Sequence, residues 1–401
     1  MRGAMKGTQS HRLAAFAIAA ASVMAMAACG STAPAGVTSK QPPTAGMKPL
    51  TSVAATGEGA LNLIDWGGYV QSLWQKPFED ATGCKINFKD AASSDEMVSL
   101  MAGGGGGNWD MVSASGDADL RLIYNGSVKP MNVNLIPDWK NFGDKFKSPS
   151  FNTINGIHYG VSLQWGPNTL LYNTDKFPTA PTTWGVLYDQ QYSSLITVPD
   201  NPIQIADAAL YLSVKNPGLK ITDPYELTQK QFDAVVNLLK TQKPLVKKYW
   251  PDIATEETLF KSGDVVLGAA WPIMTTDLHL AGAHTADTIP SEGATGWADT
   301  WMLATNAPHP NCAYKWAAWV STAKVQAEQA INYGETPVNT QACAEMESLK
   351  PGSCAAFHAN APETYFNSIK FWKTPITTCD DGTENCMPYD QWQSAWTTIK
   401  G

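Results

Sequence analysis

Beyond residue 59 the apolar and polar positions of the chain switch between two periods. Ala60–Asp65 has strand character, and Trp66-Gly67-Gly68-Tyr69 reads as the turn that ends it. From Val70 to Thr82, apolar residues at Val70, Leu73, Trp74, Phe78 and Ala81 fall on one helical face, with Gly83 placed to stop the helix. Cys84–Phe88 alternates as a second strand, and Ser94–Met101 predicts a helix with acids in its first turn. After the Gly103–Gly107 break, Trp109–Val112 predicts a buried strand running into a loop over Ser113–Asp119. Farther on, Thr169–Tyr172 and Val265–Trp271 read as strands, and Gln204–Val214, Thr228–Gln242 and Asn311–Lys324 as helices. Strands alternating with helices predict an α/β fold. Ligands of such sheets sit beyond the carboxyl ends of strands, which makes Trp66–Tyr69 and Ser113–Asp119 candidate binding loops.

The pattern before residue 59 is different. Met1–Arg12 is basic, and Leu13–Ala28 follows without a charge. That run is shorter than the roughly 20 apolar residues a membrane span needs and suits a signal peptide over residues 1–28. Met26-Ala27-Ala28-Cys29-Gly30 resembles a bacterial lipobox, so Cys29 is the expected lipidation site. Residues 29–58 are rich in Ala, Thr, Ser, Gly and Pro and are expected to form a disordered tether. The expected product is exported and held at the outer face of the cell membrane, or in the periplasm, by its lipid.

The 401 residues carry 28 Lys and Arg against 36 Asp and Glu, an acidic balance that excludes a nucleic-acid binder. There are 15 Trp, enough that some are expected as binding platforms rather than core. Six cysteines follow Cys29, an even number in an exported chain, which suggests disulfides. Many connectivities are open to them. Spacing favours Cys343 with Cys354 and Cys379 with Cys386, leaving Cys84 with Cys312. Neither the cysteines nor the six His show metal-ligand spacing. No G-x-S-x-G elbow, H-E-x-x-H helix or phosphate-binding glycine loop is present. Asp380-Asp381-Gly382 reads as a charged turn. No metal, cofactor or enzymatic activity is expected.

From Leu61 onward the chain resembles the spermidine/putrescine-binding proteins of bacterial ABC importers. Trp66-x-x-Tyr69 is similar to the family's first-loop N-W-x-x-Y, and Phe78–Gly83 to its F-x-x-E-T-G helix end. Ser93–Met97 resembles S-N-E-x-M, and Thr183–Leu187 resembles T-S-W-x-D-L. Trp297-Ala-Asp299 matches W-x-D, and Gly334–Asn339 resembles G-Y-x-T-P-N. The resemblance implies a two-lobed, type II periplasmic-binding-protein fold, with crossover strands between the lobes and a ligand cleft. It implies an N-lobe over 59–164 and 297–340 and a C-lobe over 165–296 and 341–401. On that division each expected disulfide lies within one lobe. The implied partners are a small cationic solute and the permease subunits with their ATPase, and a monomer is expected. The alternatives are an exported enzyme on a similar scaffold, or a receptor for an amino acid derivative.

A polyamine needs carboxylates at its ammonium ends and aromatic faces along its methylenes. The resemblance places Trp66, Tyr69, Ser115, Asp117, Asp200, Trp271, Trp297, Asp299 and Glu335 in the site, with Asp299 as the principal grip. Two family acids are replaced, one by Gly68 and one near Ile203 or Gln204. A carboxylate for the far ammonium is therefore missing unless Asp117 or Glu335 supplies it. The expected solute is a polyamine or related small organic cation, with spermidine not the best ligand.

Overall fold

The computed structural model describes residues 41–401. The signal segment and Cys29 lie outside the described residues. Among those described, no helix is long and apolar enough to cross a membrane.

Two sheets organise the chain. The first has seven strands: β1 (Ala60–Trp66), β2 (Lys85–Ala91), β3 (Met111–Ser115), β6 (Gly160–Pro167), β12 (Ala294–Leu303), β13 (Thr336–Pro337) and β14 (Ile369–Phe371). Its order is β13-β6-β12-β3-β1-β2, with β14 beside β12. The second has five strands: β7 (Thr169–Asn173), β8 (Ile196–Pro199), β9 (Val246–Trp250), β10 (Leu267–Ala270) and β11 (Thr285–Thr288), in the order β11-β7-β10-β8-β9. A hairpin of β4 (Thr153–Ile154) and β5 (Ile157–His158) stands apart. Helices cover the sheets, as a two-lobed α/β fold requires.

Asn168 alone separates β6 from β7, so the chain crosses between lobes there, and it returns between β11 and β12. The Asn168 and Thr295 side chains meet at these crossings, 2.8 Å apart, and both bond Asp207 of the helix Gln204–Lys215.

Most early elements follow the hydrophobic pattern. In the helix Ser72–Thr82, Trp74 and Phe78 are buried one turn apart, and Gly83 at φ 72° closes the end. Leu73 is not on the buried face; it is 55% exposed. The expected loop Ser113–Asp119 is instead the end of β3 followed by the helix Gly116–Tyr124. The expected helix Asn311–Lys324 is two, Pro310–Val320 and Ala323–Tyr333, with the Thr322 side chain capping the second.

The tether expected over 29–58 needs correction for residues 41–58, which pack on the first lobe. Thr44 is buried and its hydroxyl donates to Val128 O at 2.8 Å. The Glu58 carboxylate accepts from the Asn311 and Cys312 backbone N–H groups, both at 2.9 Å, at the start of a helix. Gly57 lies directly on the Cys84–Cys312 disulfide; a Cβ there would stand 2.4 Å from Cys84 Sγ. The segment is thus held by polar contacts together with Leu50 and Val53, which pack on the first lobe's core.

The three disulfides are Cys84–Cys312, Cys343–Cys354 and Cys379–Cys386. The placement of 341–401 in the second lobe is corrected in part. Ala342, Met346 and Cys354 pack on Ala327 and Ala330 of the first lobe, and β14 joins the first sheet. The terminal helix Tyr389–Lys400 does pack on the second lobe, through Trp392, Trp396 and Ile399.

Candidate functional site

The centre of the site is built from three segments distant in sequence. β3 and β12 are antiparallel, and their register sets Ser115 opposite Asp299. On its other side β12 slips against β6 between Ala298 and Thr300, an irregularity that re-aims the side chain between them. Asp299 is 3% exposed. Its carboxylate accepts from the Ser115 and Tyr69 hydroxyls, one on each oxygen. Tyr69 comes from the turn after β1, and its hydroxyl also lies 3.5 Å from Glu335 Oε1. Glu335 follows the helix Ala323–Tyr333 and is 9% exposed.

Burial pushes Asp299 up to about 7, against the hydrogen bonds from Ser115 and Tyr69 that favour its charge. Desolvation and the nearby Asp299 hold Glu335 well above the usual carboxylate range. Asp117, fully buried, is pushed to about 6 by burial, although Ser94 Oγ donates to it at 2.8 Å. Asp119, also buried, is raised by burial and then by Asp299 and Asp117. No Lys, Arg or His among the described residues pairs with Asp299 or Glu335.

The tryptophans divide between the lobes. Trp66 ends β1, Trp297 lies on β12, and Trp271 precedes the helix Pro272–Leu280 of the second lobe. Trp271 meets Trp250 edge to face at 5.0 Å. Trp297 packs in the second lobe's core cluster with Trp372, so Trp372 joins the candidates although the sequence did not single it out. The indole N–H groups of Trp66, Trp271, Trp297 and Trp372 are buried without an acceptor among the described residues. Buried donors usually have partners.

The lobes touch beside this centre. A Cβ on Gly334 would stand 3.0 Å from Thr276 Oγ1 and 3.7 Å from Ile273 Cα. Gly334 belongs to the first lobe and the helix Pro272–Leu280 to the second.

Asp200 is not brought to the centre. It is exposed and bonded to Lys400 Nζ at 2.5 Å and Trp396 Nε1 at 3.0 Å. Gly68 has a physical reason to be glycine: its φ is 108°, and a Cβ would collide with Tyr333 Oη at 2.0 Å. Ile203 is core, and Gln204 donates to Asp207 at 2.5 Å. The acid near that position is therefore Asp207, spent on the crossing strands. The helical spacing of Ile203 and Asp207 was the available signal. Among the described residues, Asp223, Glu226 and Asp380 have metal-holding spacing. Lys373 Nζ already sits among them, 3.3 Å from Asp223 and 3.4 Å from Asp380.

The arrangement holds carboxylates and the hydroxyl donors that orient them in one buried centre, and both lobes carry buried tryptophans. The Pseudomonas aeruginosa putrescine/agmatine-binding protein is 23% identical over 327 residues, covering 75% of this chain and 86% of that protein. The Escherichia coli putrescine-binding periplasmic protein PotF is 22% identical over 288 residues, covering 65% and 73%. The structure of a putative spermidine/putrescine ABC transporter from Listeria monocytogenes shares the fold, with a TM-score of 0.71 at 18% identity, covering 85% of this chain and 99% of that one. A family model described as bacterial extracellular solute-binding protein matches residues 74–351, and the chain belongs to that family.

Proposed function

We propose that this protein captures a polyamine or related small organic cation between its lobes and delivers it to the permease of an ABC importer. One observation carries the reading. Asp299 and Glu335 are buried together on Tyr69 with no basic side chain among the described residues to pair them. Burying unpaired carboxylates is costly, and a cationic solute offsets that cost. Trp66, Trp271, Trp297 and Trp372 supply ring faces for alkylammonium groups. Relatives named for putrescine and agmatine support a cation. In this reading the mature chain is exported, anchored through Cys29, and presents its lobes to the permease and its ATPase as a monomer. Ser115 positions Asp299, and Asp117 acts from the adjoining helix rather than on the solute.

The test is mass spectrometry of solute released from purified protein. Calorimetry with putrescine, agmatine, spermidine, basic amino acids and 4-aminobutyrate accompanies it. Stoichiometric binding of an amine supports the reading. Release of an anionic or neutral solute, with no amine bound, overturns it.

A further inference from the structure

Three segments carry the chain between the lobes, and side chains of the second lobe hold all three. Asn168, buried, is the single residue between β6 and β7. Thr295, also buried, is the second residue of β12. The Asn168 backbone N–H donates to Thr295 O at 2.8 Å, and the Asn168 amide donates to the Thr295 hydroxyl at 2.8 Å. The third segment leaves β14 for the terminal helix, and Lys370 of β14 lies in register with Thr295. Lys370 O accepts from the Tyr225 hydroxyl at 2.8 Å, and Tyr225 packs in the second lobe's core.

Asp207 is the acid of this junction. One of its carboxylate oxygens accepts from two crossing segments, from the Asn168 amide at 3.3 Å and from the Thr295 hydroxyl. The other accepts from Gln204 at 2.5 Å, one helical turn earlier. Among the described residues no Lys, Arg or His pairs with it. An ionised carboxylate only accepts, so Asp207 can hold both donors at once. The same run of β12 carries the site. Thr295 and Trp297 share one face by the period of a strand, and Asp299 follows two residues later. The backbone between them has no slack: a Cβ on Gly296 would stand 2.9 Å from Gly166 O and 2.6 Å from Ile369 Cγ2. A shift at Thr295 is therefore passed along the strand rather than absorbed.

We propose that Asp207 is a positioning residue for capture: it pins the crossing segments to the helix Gln204–Lys215 and so favours the arrangement in which the lobes touch, without contacting the solute. Lobes swing by changing backbone angles in the segments that join them. Swinging moves Asn168 and Thr295 relative to that helix, and the two bonds they share on one oxygen resist the movement. Asp207 acts this way whichever solute is bound, so its role stands apart from the cation reading. Losing the bonds shifts the population toward separated lobes, and every solute then binds more weakly by the same factor.

Pulsed electron paramagnetic resonance on the full chain tests it, with spin labels on non-cysteine residues that spare the disulfides. The labels replace Phe88 and Lys248, exposed residues of β2 and β9, which lie at the ends of the two sheets remote from the crossings. In the empty protein, Asp207→Ala is expected to populate a longer distance than wild type. Asp207→Asn keeps an acceptor oxygen for Asn168 and Thr295 and is expected to stay near wild type. Calorimetry is expected to show Asp207→Ala binding putrescine and agmatine more weakly by one common factor of roughly ten. Distances in Asp207→Ala that match wild type, whatever its melting temperature, overturn the proposal and leave cation capture standing. Affinities that fall by unequal factors place Asp207 on the solute and overturn it as well. Wild type that binds neither amine overturns the cation reading, and the distances still decide the role of Asp207. Should Asp207→Ala fail to fold, Thr295→Val decides in its place: a longer distance supports the role, and an unchanged one overturns it.

Discussion

Replacing Asp299 by Asn separates the cost of burying a carboxylate from its use. The substitution keeps the shape and removes the charge. Burial pushes Asp299 from 3.8 to about 7 in the empty protein. At about 1.4 kcal/mol per unit, ionising it at pH 8 costs on the order of 4 kcal/mol relative to the unfolded chain. Asn carries no such cost. The Ser115 and Tyr69 hydroxyls that donate to the carboxylate are rotors, able to turn and accept from an amide. The variant is therefore expected to melt at pH 8 no lower than wild type. Binding behaves oppositely. Removing the charged partner of a desolvated cation costs roughly 2–5 kcal/mol. That is about 30-fold to several thousand-fold in affinity. Calorimetry with putrescine gives the second quantity and differential scanning calorimetry of the empty protein the first. Unchanged affinity would remove Asp299 from the site. Loss of affinity with an equal loss of stability would make it a structural residue.

The empty protein is expected to lose stability as pH rises from about 4 to about 7. Asp299, raised to about 7, and Asp117 and Asp207, each raised to about 6, hold protons in the folded state that the unfolded chain has already released. A urea midpoint higher at pH 8 than at pH 5 would contradict this. Cation binding favours the charged form of Asp299, so affinity is expected to rise with pH up to about 7, with proton release visible in buffers of different ionisation enthalpy. Gly68→Asp, which restores an acid of the resembling family, is expected to lower the melting temperature without tightening binding, because φ is 108° and Tyr333 Oη fills the space. A tighter-binding, equally stable Gly68→Asp would refute that reason. Replacing Cys84 and Cys312 by Ala is expected to cost roughly 2–5 kcal/mol, since their bond closes a loop of 228 residues in sequence separation. Urea unfolding measures it, and an unchanged midpoint would show the packing around Gly57 to be sufficient alone.

Local structure in the first half of the chain was legible in residue pattern, because amphipathic spacing, glycine stops and capping residues act over a few positions. Trp74 and Phe78 are buried as their spacing predicts, and Thr228 caps its helix with Gln231. Cysteine parity and spacing pointed to the pairing, and ordered motifs pointed to the two-lobed fold and to Tyr69, Ser115, Asp299 and Glu335, which meet in one hydrogen-bonded centre. What pattern leaves open is which polar groups are spent on each other. Asp200 sits in a turn that suits a binding loop, yet Lys400, 200 residues away, takes it. Asp207 appears as one polar position on an amphipathic helix, yet Asn168 and Thr295 gather it to the crossing strands. A carboxylate's role depends on its neighbours and its access to water, and both are set by contacts between residues far apart in the chain.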